Sequence, residues 1–520
     1  AAGRTKIDLE SRYTSQQLRK KIDLMDAQEY TNFYNQLAAN SGRAPFYTAE
    51  MIKDYGKGTD WQDLIFRKAP MHDHTLTISG GNAKTKFSLA GSLFDQQGII
   101  ENSSFKRYSA RMNFRHEVND WMNVEFSSIA SRSDQSLQSS AGARLGGSLI
   151  AAIITAPPIF EPYDSSGKPT IFSQTYPFPS SAMGNPLLYT KLTEGGTVKN
   201  DINTTGKLSF KIIDGLRLNV QGGYITRDIR NDTYQAIAYN QRGNASVSTS
   251  NYTSALSENT LEYRRVFNRK HNLNVLAGQT YQNFITKGLS GSGTDLLSDI
   301  TSTYNLASSR TPGVPGSNYT KSVLLSYLGR VNYSYNDMVL LTGSLRADGA
   351  SKYSPGEKWG YFPSFAVALK IKEMALKNVD AISDLKIRGS WGKTGSQAIN
   401  AYATMNLLQA GNTIFGSDTR TVTLAPGNSL PYQLKWESTA QLDFGIDASF
   451  LDGRYRFVAD FYRKVTSNLL SIVSLPTSTG YASSLQNIGS MQNKGVEFSI
   501  EANLIRNRTV NWNVSGNISF

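Results

Sequence analysis

Apolar and polar residues alternate one by one along most of this chain, and the pattern is clearest between residues 441 and 462. Leu442, Phe444, Ile446, Ala448 and Phe450 alternate with Asp443, Gly445, Asp447 and Ser449, so an extended backbone puts the first set on one face and the second on the other. A turn at Asp452-Gly453 follows, and Tyr455, Phe457, Ala459 and Phe461 then alternate with Arg456, Val458, Asp460 and Tyr462. Two antiparallel strands joined by a tight turn are predicted. Each is about ten residues long, the length that crosses a bilayer core at a tilt, whereas strands of soluble sheets are nearer five or six.

The same reading predicts strands over residues 5–13, 73–80, 84–94, 105–117, 121–131, 202–213, 216–227, 255–267 and 272–283. It continues over 322–335, 338–348, 359–370, 385–392, 436–451, 454–466, 494–505 and 510–520, about seventeen in all. Only residues 25–38 (MDAQEYTNFYNQLA) read as a convincing helix. Tight turns fall at Gly81-Asn82, Asn119-Asp120, Asp214-Gly215, 268–270, Asn336-Asp337, Asp452-Gly453 and 506–508. Between them lie irregular stretches at 132–200, 229–254, 286–321, 393–435 and 466–493, rich in Gly, Ser, Thr, Asn and Pro. Short and long connections alternate, which in an up-and-down barrel puts every short turn at one rim and every long loop at the other. The fold class is therefore all-β, an antiparallel transmembrane β-barrel. Closed bacterial barrels normally have an even strand number, and the chain stops at Phe520 within an alternation and starts without a signal peptide. A truncated barrel is expected, with residues 1–520 as one partial barrel domain.

Composition changes this picture little. The 520 residues hold 27 Tyr, 23 Phe and 43 Gly but no Cys, which excludes disulfides, thiolate metal sites and a Cys nucleophile. The longest apolar run, residues 149–154, is far short of the ~20 a spanning helix requires. The net charge of +13 is spread over strands and loops without a cluster or recognition helix, so an anionic membrane surface fits it better than nucleic acid does.

Candidate chemistry is thin. His72 and His74 share a strand face and offer two metal ligands without an apparent third, so polar residues at a strand entrance is the plainer reading. His116 and His271 stand alone near short turns and are expected to be solvated. Asp443 with Asp447 and Glu497 with Glu501 share strand faces, but a spacing of four along a strand is about 13 Å, beyond either glycosidase geometry. With Arg388 they read as groups lining a lumen, in contact with water or cargo. Residues 163–167 (YDSSG) read as a surface turn rather than a calcium site. No phosphate loop or nucleophile elbow is found, so neither a cofactor nor enzymatic activity is expected. Trp121, Tyr335, Trp359, Tyr361, Trp436 and Trp512, near strand ends, suit interfacial girdles. The loop aromatics Phe172, Tyr176 and Phe178 either contact cargo or a partner or pack within their loop. A soluble all-β adhesin or carbohydrate-binding protein is the alternative, and it would bury its apolar strand faces in a sandwich.

Several segments carry a family resemblance. Residues 55–100 (YGKGTDWQDLIFRKAPMHDHTLTISGGNAKTKFSLAGSLFDQQGII) resemble the early barrel of SusC/RagA-type TonB-dependent transporters of Bacteroidota. RADGASKYSPGEKWGYFP at 346–363, LKIRGSWGKTGS at 385–396, LKWESTAQLDFGID from 434 and GSMQNKGVEF at 489–498 are similar to the same family, in family order. The resemblance implies a barrel of about 22 strands, a plug domain, a TonB box engaging the TonB–ExbB–ExbD complex, and a SusD-like surface lipoprotein as lid. It implies uptake of oligosaccharide or peptide across the outer membrane. On this view the plug and about five C-terminal strands are missing. The long loops lie outside the cell, and the turns at 214–215 and 452–453 face the periplasm.

Overall fold

A computed structural model describes residues 3–138, 148–172, 184–414, 420–507 and 509–520. Its first strands are β1 (Gly3–Gln16), β2 (Ala69–Gly81), β3 (Thr85–Gln97), β4 (Ser104–Asn119), β5 (Met122–Ser136), β6 (Thr193–Ile213), β7 (Leu216–Gln235), β8 (Asn244–Phe267) and β9 (His271–Leu296). Next come β10 (Ser309–Pro312), β11 (Gly316–Tyr335), β12 (Val339–Ala350), β13 (Trp359–Lys370), β14 (Ile382–Ser396), β15 (Leu408–Ile414), β16 (Arg420–Pro426) and β17 (Ser429–Leu430). The series ends with β18 (Glu437–Phe450), β19 (Tyr455–Ser467), β20 (Leu470–Ser474), β21 (Ser483–Asn487), β22 (Ser490–Arg506) and β23 (Asn511–Ser519).

One antiparallel sheet of 18 strands dominates. Each long strand pairs with the next long strand in sequence from β1 to β23, while β10 is a four-residue piece beside the end of β9. All seventeen predicted strands are present. Among the described residues no ladder joins β1 to β23, so each has a partner on one side only.

Cross-strand partners in antiparallel ladders share a face, so the register follows the apolar face across the sheet. Phe87, Phe114, Phe126 and Gly206 form one row. Leu341, Val367, Gly389, Phe444, Phe461 and Val496 form another. Phe444 is 54% exposed, and the hydrophobic clusters of buried side chains all sit among the long loops and adjoining strand ends. Among the described residues no second sheet covers the apolar face, so the sandwich alternative fails.

The connections segregate as expected. At one rim Asn268-Arg269 and Asn336-Asp337 occupy left-handed conformations with φ of 49° to 56°, the geometry that turns two twisted strands back in register. The link between β13 and β14 is longer, with a short helix at Ile371–Ala375. The opposite rim carries, among the described residues, the loops at 17–68, 148–172 with 184–192, 297–315, 397–414 with 420–436, and 468–489.

Three expectations are corrected. Strands extend well past ten residues, to 24 in β8 and 26 in β9, so most of the stretch 229–254 is paired strand rather than loop. These extensions mix polar and apolar residues on both faces, so they carry no alternation, yet the ladder still satisfies every backbone group it pairs. Further helices accompany α1 (Ala27–Asn40): α2 (Ala49–Tyr55), α3 (Trp61–Ile65), α4 (Leu149–Thr155) and a turn at Pro186–Lys191. The apolar run at 149–154 is the start of α4 and packs among these loops. Trp436 is not a girdle residue: it is buried against Tyr353 and Phe362, and its Nε1 donates to the Lys358 carbonyl at 3.1 Å. Trp121, Tyr335, Trp359, Tyr361 and Trp512 remain exposed.

Candidate functional site

The polar face of β14, β18, β19 and β22 gathers the predicted lumen residues into one patch. Its rows are Lys386–Asp447–Val458–Ser499 and Arg388–Gly445–Asp460–Glu497, flanked by Ser390–Asp443–Tyr462 and by Ser449–Arg456–Glu501. Alternation alone accounts for this, because successive odd positions of β18 fall on the face opposite Phe444. Arg388 is the hub. Its Nη2 lies 2.6 Å from Asp460 Oδ1 and 3.3 Å from Asp447 Oδ1, and Lys386 Nζ lies 2.6 Å from Asp447 Oδ2.

To reach Asp460 the guanidinium crosses over β18 at Gly445. A Cβ there would stand 2.5 Å from Arg388 Cζ and 2.5 Å from Asp460 Oδ1. The missing side chain is therefore what lets one arginine bridge three strands. Asp443 accepts from Ser390 Oγ at 3.1 Å and from Gln441 Nε2 at 2.8 Å. Glu501 accepts from Asn513 Nδ2 at 3.0 Å, and Arg456 stands 3.9 Å away in a solvent-exposed pair that adds little stability. Glu497 lies opposite Asp460 and has no cationic partner among the described residues. Asp443 and Asp447 are thus held by different partners, and the patch contains no nucleophile–base set.

Sequence reasoning named Arg388, Asp443, Asp447, Glu497 and Glu501 and missed Lys386 and Gly445. The signal for Lys386 was its position two residues before Arg388, hence on the same face. For Gly445 it was a glycine inside an otherwise regular strand.

The second region is a folded cap built from residues 17–68, 148–172 and 184–192. Asp26 opens α1 with a reciprocal capping box to Glu29. Trp61 in α3 donates from Nε1 to the Pro157 carbonyl at 3.1 Å, and the Thr59 amide donates to the Pro158 carbonyl at 2.8 Å. Gly58, at φ 70°, lies so close that a Cβ would be 2.2 Å from that same oxygen. Ile65, Leu149, Ile153 and Leu187 form a buried core beside this seam. Asp60 caps α3 by accepting from the amides of Gln62 and Asp63 at 2.9 and 3.0 Å.

Phe172 belongs to this cap. It is 1% exposed, stacks on Phe160 at 4.8 Å and meets Trp61 edge-on at 5.5 Å. The option of a cargo-facing ring at Phe172 is corrected to loop packing. Tyr176 and Phe178 lie outside the described residues.

The histidines have local partners. His74 Nδ1 is 2.8 Å from Ser11 Oγ, and His72 packs against Tyr13. His116 bonds to Thr85 Oγ1 and His271 to Tyr333, each at 2.8 Å, so neither is simply solvated. Among the described residues no group of three potential ligands gathers around a metal position. Asp164 accepts from the Ser166 and Lys168 amides at 2.8 and 3.0 Å, as a surface turn does.

The family description "TonB dependent receptor-like, beta-barrel" matches residues 153–520. The chain belongs to this family. It is 31% identical over 513 residues to a TonB-dependent receptor of Formosa agariphila, covering 96% of this chain and 50% of that one. It is also 31% identical over 535 residues to the TonB-dependent receptor SusC of Bacteroides thetaiotaomicron, covering 96% of this chain and 51% of that one. The chain thus spans about half the length of these curated relatives. The structure of the RagAB peptide transporter superposes with a TM-score of 0.85 over 100% of this chain and 61% of that chain at 22% identity, which speaks to the fold. The resemblance to SusC/RagA-type transporters is borne out. In this barrel wall Arg388 and Phe444 lie on opposite faces of the sheet.

Proposed function

We propose that this chain forms one contiguous arc of the barrel domain of a TonB-dependent outer-membrane importer of large nutrients, either oligosaccharide or peptide. The protein binds and passes cargo and performs no covalent chemistry. The observation that carries this reading is the division of the sheet. An exposed apolar belt covers one face, charged groups such as Arg388 and Asp460 line the other, and nearly all the long connections are massed at one rim. That is the arrangement of a wall between lipid and a polar passage with its binding apparatus outside.

Arg388, Asp443, Asp447, Glu497 and Glu501 act in this proposal as lumen groups that meet the plug or cargo. The loop cap receives cargo together with a SusD-like lipoprotein, and the TonB–ExbB–ExbD complex energises passage through the rest of the protein. Relatives support these partners through the SusC likeness and the RagAB fold. Epitope insertion in the full-length protein tests the topology. A tag after Ser166 should label on intact cells, and a tag at Gly453 only after permeabilisation. The reverse pattern would overturn the proposal. Cells lacking the gene should also lose growth on one class of oligosaccharide or peptide, with complementation by the intact gene.

A further inference from the structure

On the outer face of β14, β18, β19 and β22 the apolar belt ends toward the long-loop rim in cations. Lys393 lies two residues beyond Trp391, Arg463 two beyond Phe461, and Lys494 two residues nearer that rim than Val496. Every carboxylate on these four strands, from Asp384 and Glu437 to Glu497 and Glu501, falls on the lumen face by the same register. The outer face of this arc is therefore basic and carries no acid.

Arg463 and Lys494 are direct cross-strand partners. Like charges placed opposite each other on one face repel, and nothing among the described residues offsets them. The Arg463 guanidinium donates only to the neutral Gln492 Oε1, at 3.1 and 2.9 Å. Several outer-face cations elsewhere are compensated: Lys106 stands 3.3 Å from its opposite partner Asp95, and Arg132 and Arg230 pair with Asp134 and Asp232 at 3.3 and 2.9 Å. Arg265, Lys287 and Lys321 stand opposite the neutral Leu273, Asn251 and Ile285, so they face no like charge. Among the described outer-face residues only Arg463 and Lys494 set two cations directly opposite each other without an acid, at the level where the belt gives way to polar surface.

We propose that Arg463 and Lys494, with Lys393 beside them, bind the phosphate of an outer-leaflet lipid headgroup. Its acyl chains lie along Trp391, Leu442, Phe444 and Phe461. A phosphate between Arg463 and Lys494 turns their repulsion into two charge-assisted contacts, and the flanking belt supplies the apolar surface that a soluble phosphate would not use. The inference rests on the outer-membrane reading above.

The test uses full-length protein from outer membranes, exchanged into phosphatidylcholine vesicles with or without monophosphorylated lipid A. Retained lipid is counted by native mass spectrometry after mild extraction. At about 1 kcal/mol per cation, the double variant Arg463→Gln/Lys494→Gln should retain about tenfold less lipid A or worse, while Lys106→Gln retains as much as wild type. Wild-type retention should fall with added salt and withstand inorganic phosphate. Equal retention by the double variant, indifference to salt, or displacement by inorganic phosphate would each overturn the proposal. So would a variant that keeps its lipid but changes its subunit assembly, since the arc would then be a protein contact. Heat-modifiable migration and outer-membrane fractionation are scored for every variant. A wild-type protein outside the membrane overturns the reading beneath, whereas a membrane-located protein with unchanged lipid overturns this inference alone.

Discussion

Near the turn at 268–270, the paired strands β8 and β9 carry Leu261, Tyr263, Val275, Ala277 and Tyr281 on a single face, with polar groups such as Glu262 and Asn274 on the other. Farther along the same ladder, residues 244–254 against 284–294, both faces carry mostly Ser, Thr, Asn and Gly. The backbone pairing is continuous through both halves, so hydrogen bonding does not distinguish them. What changes is the chemistry of the two faces: the first half is apolar on one side and polar on the other, and the second has no such contrast across it. Above the second half the chain does something different again. It folds residues 17–68, 148–172 and 184–192 into a cap with its own dry core around Trp61 and Ile65. One region is held by its ladder, the other by side-chain burial as in a small water-soluble domain.

If that division is right, the largest effect of a truncation belongs to the cap and stays there. Trp61→Ala removes a nearly fully buried ring, its contact with Phe172 and its bond to Pro157. A cost of about 3–5 kcal/mol is expected. Hydrogen exchange should show lost protection in α1, α3 and α4 with the β4–β9 ladders unchanged. Loss of protection in those ladders as well would mean that cap and wall are one cooperative unit.

The belt should answer to charge rather than to volume. Phe444→Arg puts a cation beside Phe461 and Gly389 on the lipid face and should destabilise the barrel by roughly 2–4 kcal/mol if the site is near the midplane. Thr249→Arg, on the same face of the sheet but in the polar extension of β8, should stay within about 0.5 kcal/mol. Urea titration of the full-length protein in lipid measures both. Equal costs would erase the distinction between the halves.

This contrast also explains what the sequence disclosed. Period-two alternation requires different media on the two faces, and every strand with a belt segment was legible for that reason, with Phe444 and Phe461 on the apolar face of adjacent strands; their direct pairing came only from the structure. The extensions of β7, β8 and β9 read as loop because their Ser, Thr and Gly carry no periodic signal, although their ladders are continuous. Lumen residues were legible as positions but not as a network. The link from Arg388 to Asp460 depends on register across two ladders and on the gap at Gly445, neither of which composition reveals. Phe172 was ambiguous because whether a loop ring is buried depends on a partner loop more than a hundred residues away, at Trp61.

A smaller effect is expected within the lumen patch. Gly445→Ala places a methyl where Arg388 Cζ and Asp460 Oδ1 now lie. The guanidinium can swing aside, so the loss should be about 1–2 kcal/mol, the scale of hydrogen bonds to charged groups. Arg388→Met in the Gly445→Ala background should then cost little more, because the interaction is already broken. A double-mutant cycle on urea midpoints reads this coupling, and full additivity would show that Gly445 matters for another reason. The belt should be indifferent to the change, as judged by unaltered outer-membrane fractionation.

The smallest effect is the pH response of the cap. Burial alone would raise the carboxyl of Asp60, but the Asp63 amide and the Lys21 ammonium outweigh it and hold the group below its usual 3.8. A depressed carboxylate stabilises the folded state fully above its unfolded value, and that stabilisation is lost as pH falls through the folded one. The α3 end of the cap should therefore be unchanged between neutral pH and about pH 5, then loosen below about pH 4. Exchange of the Gln62 and Asp63 amides, corrected for intrinsic rates, should rise in that acid range and not in Asp60→Asn, which no longer titrates there. A transition near neutral pH, or one that survives in Asp60→Asn, would assign the response to another group. The ladder of β14, β18 and β19 provides the internal reference, since its amides are not bonded to Asp60.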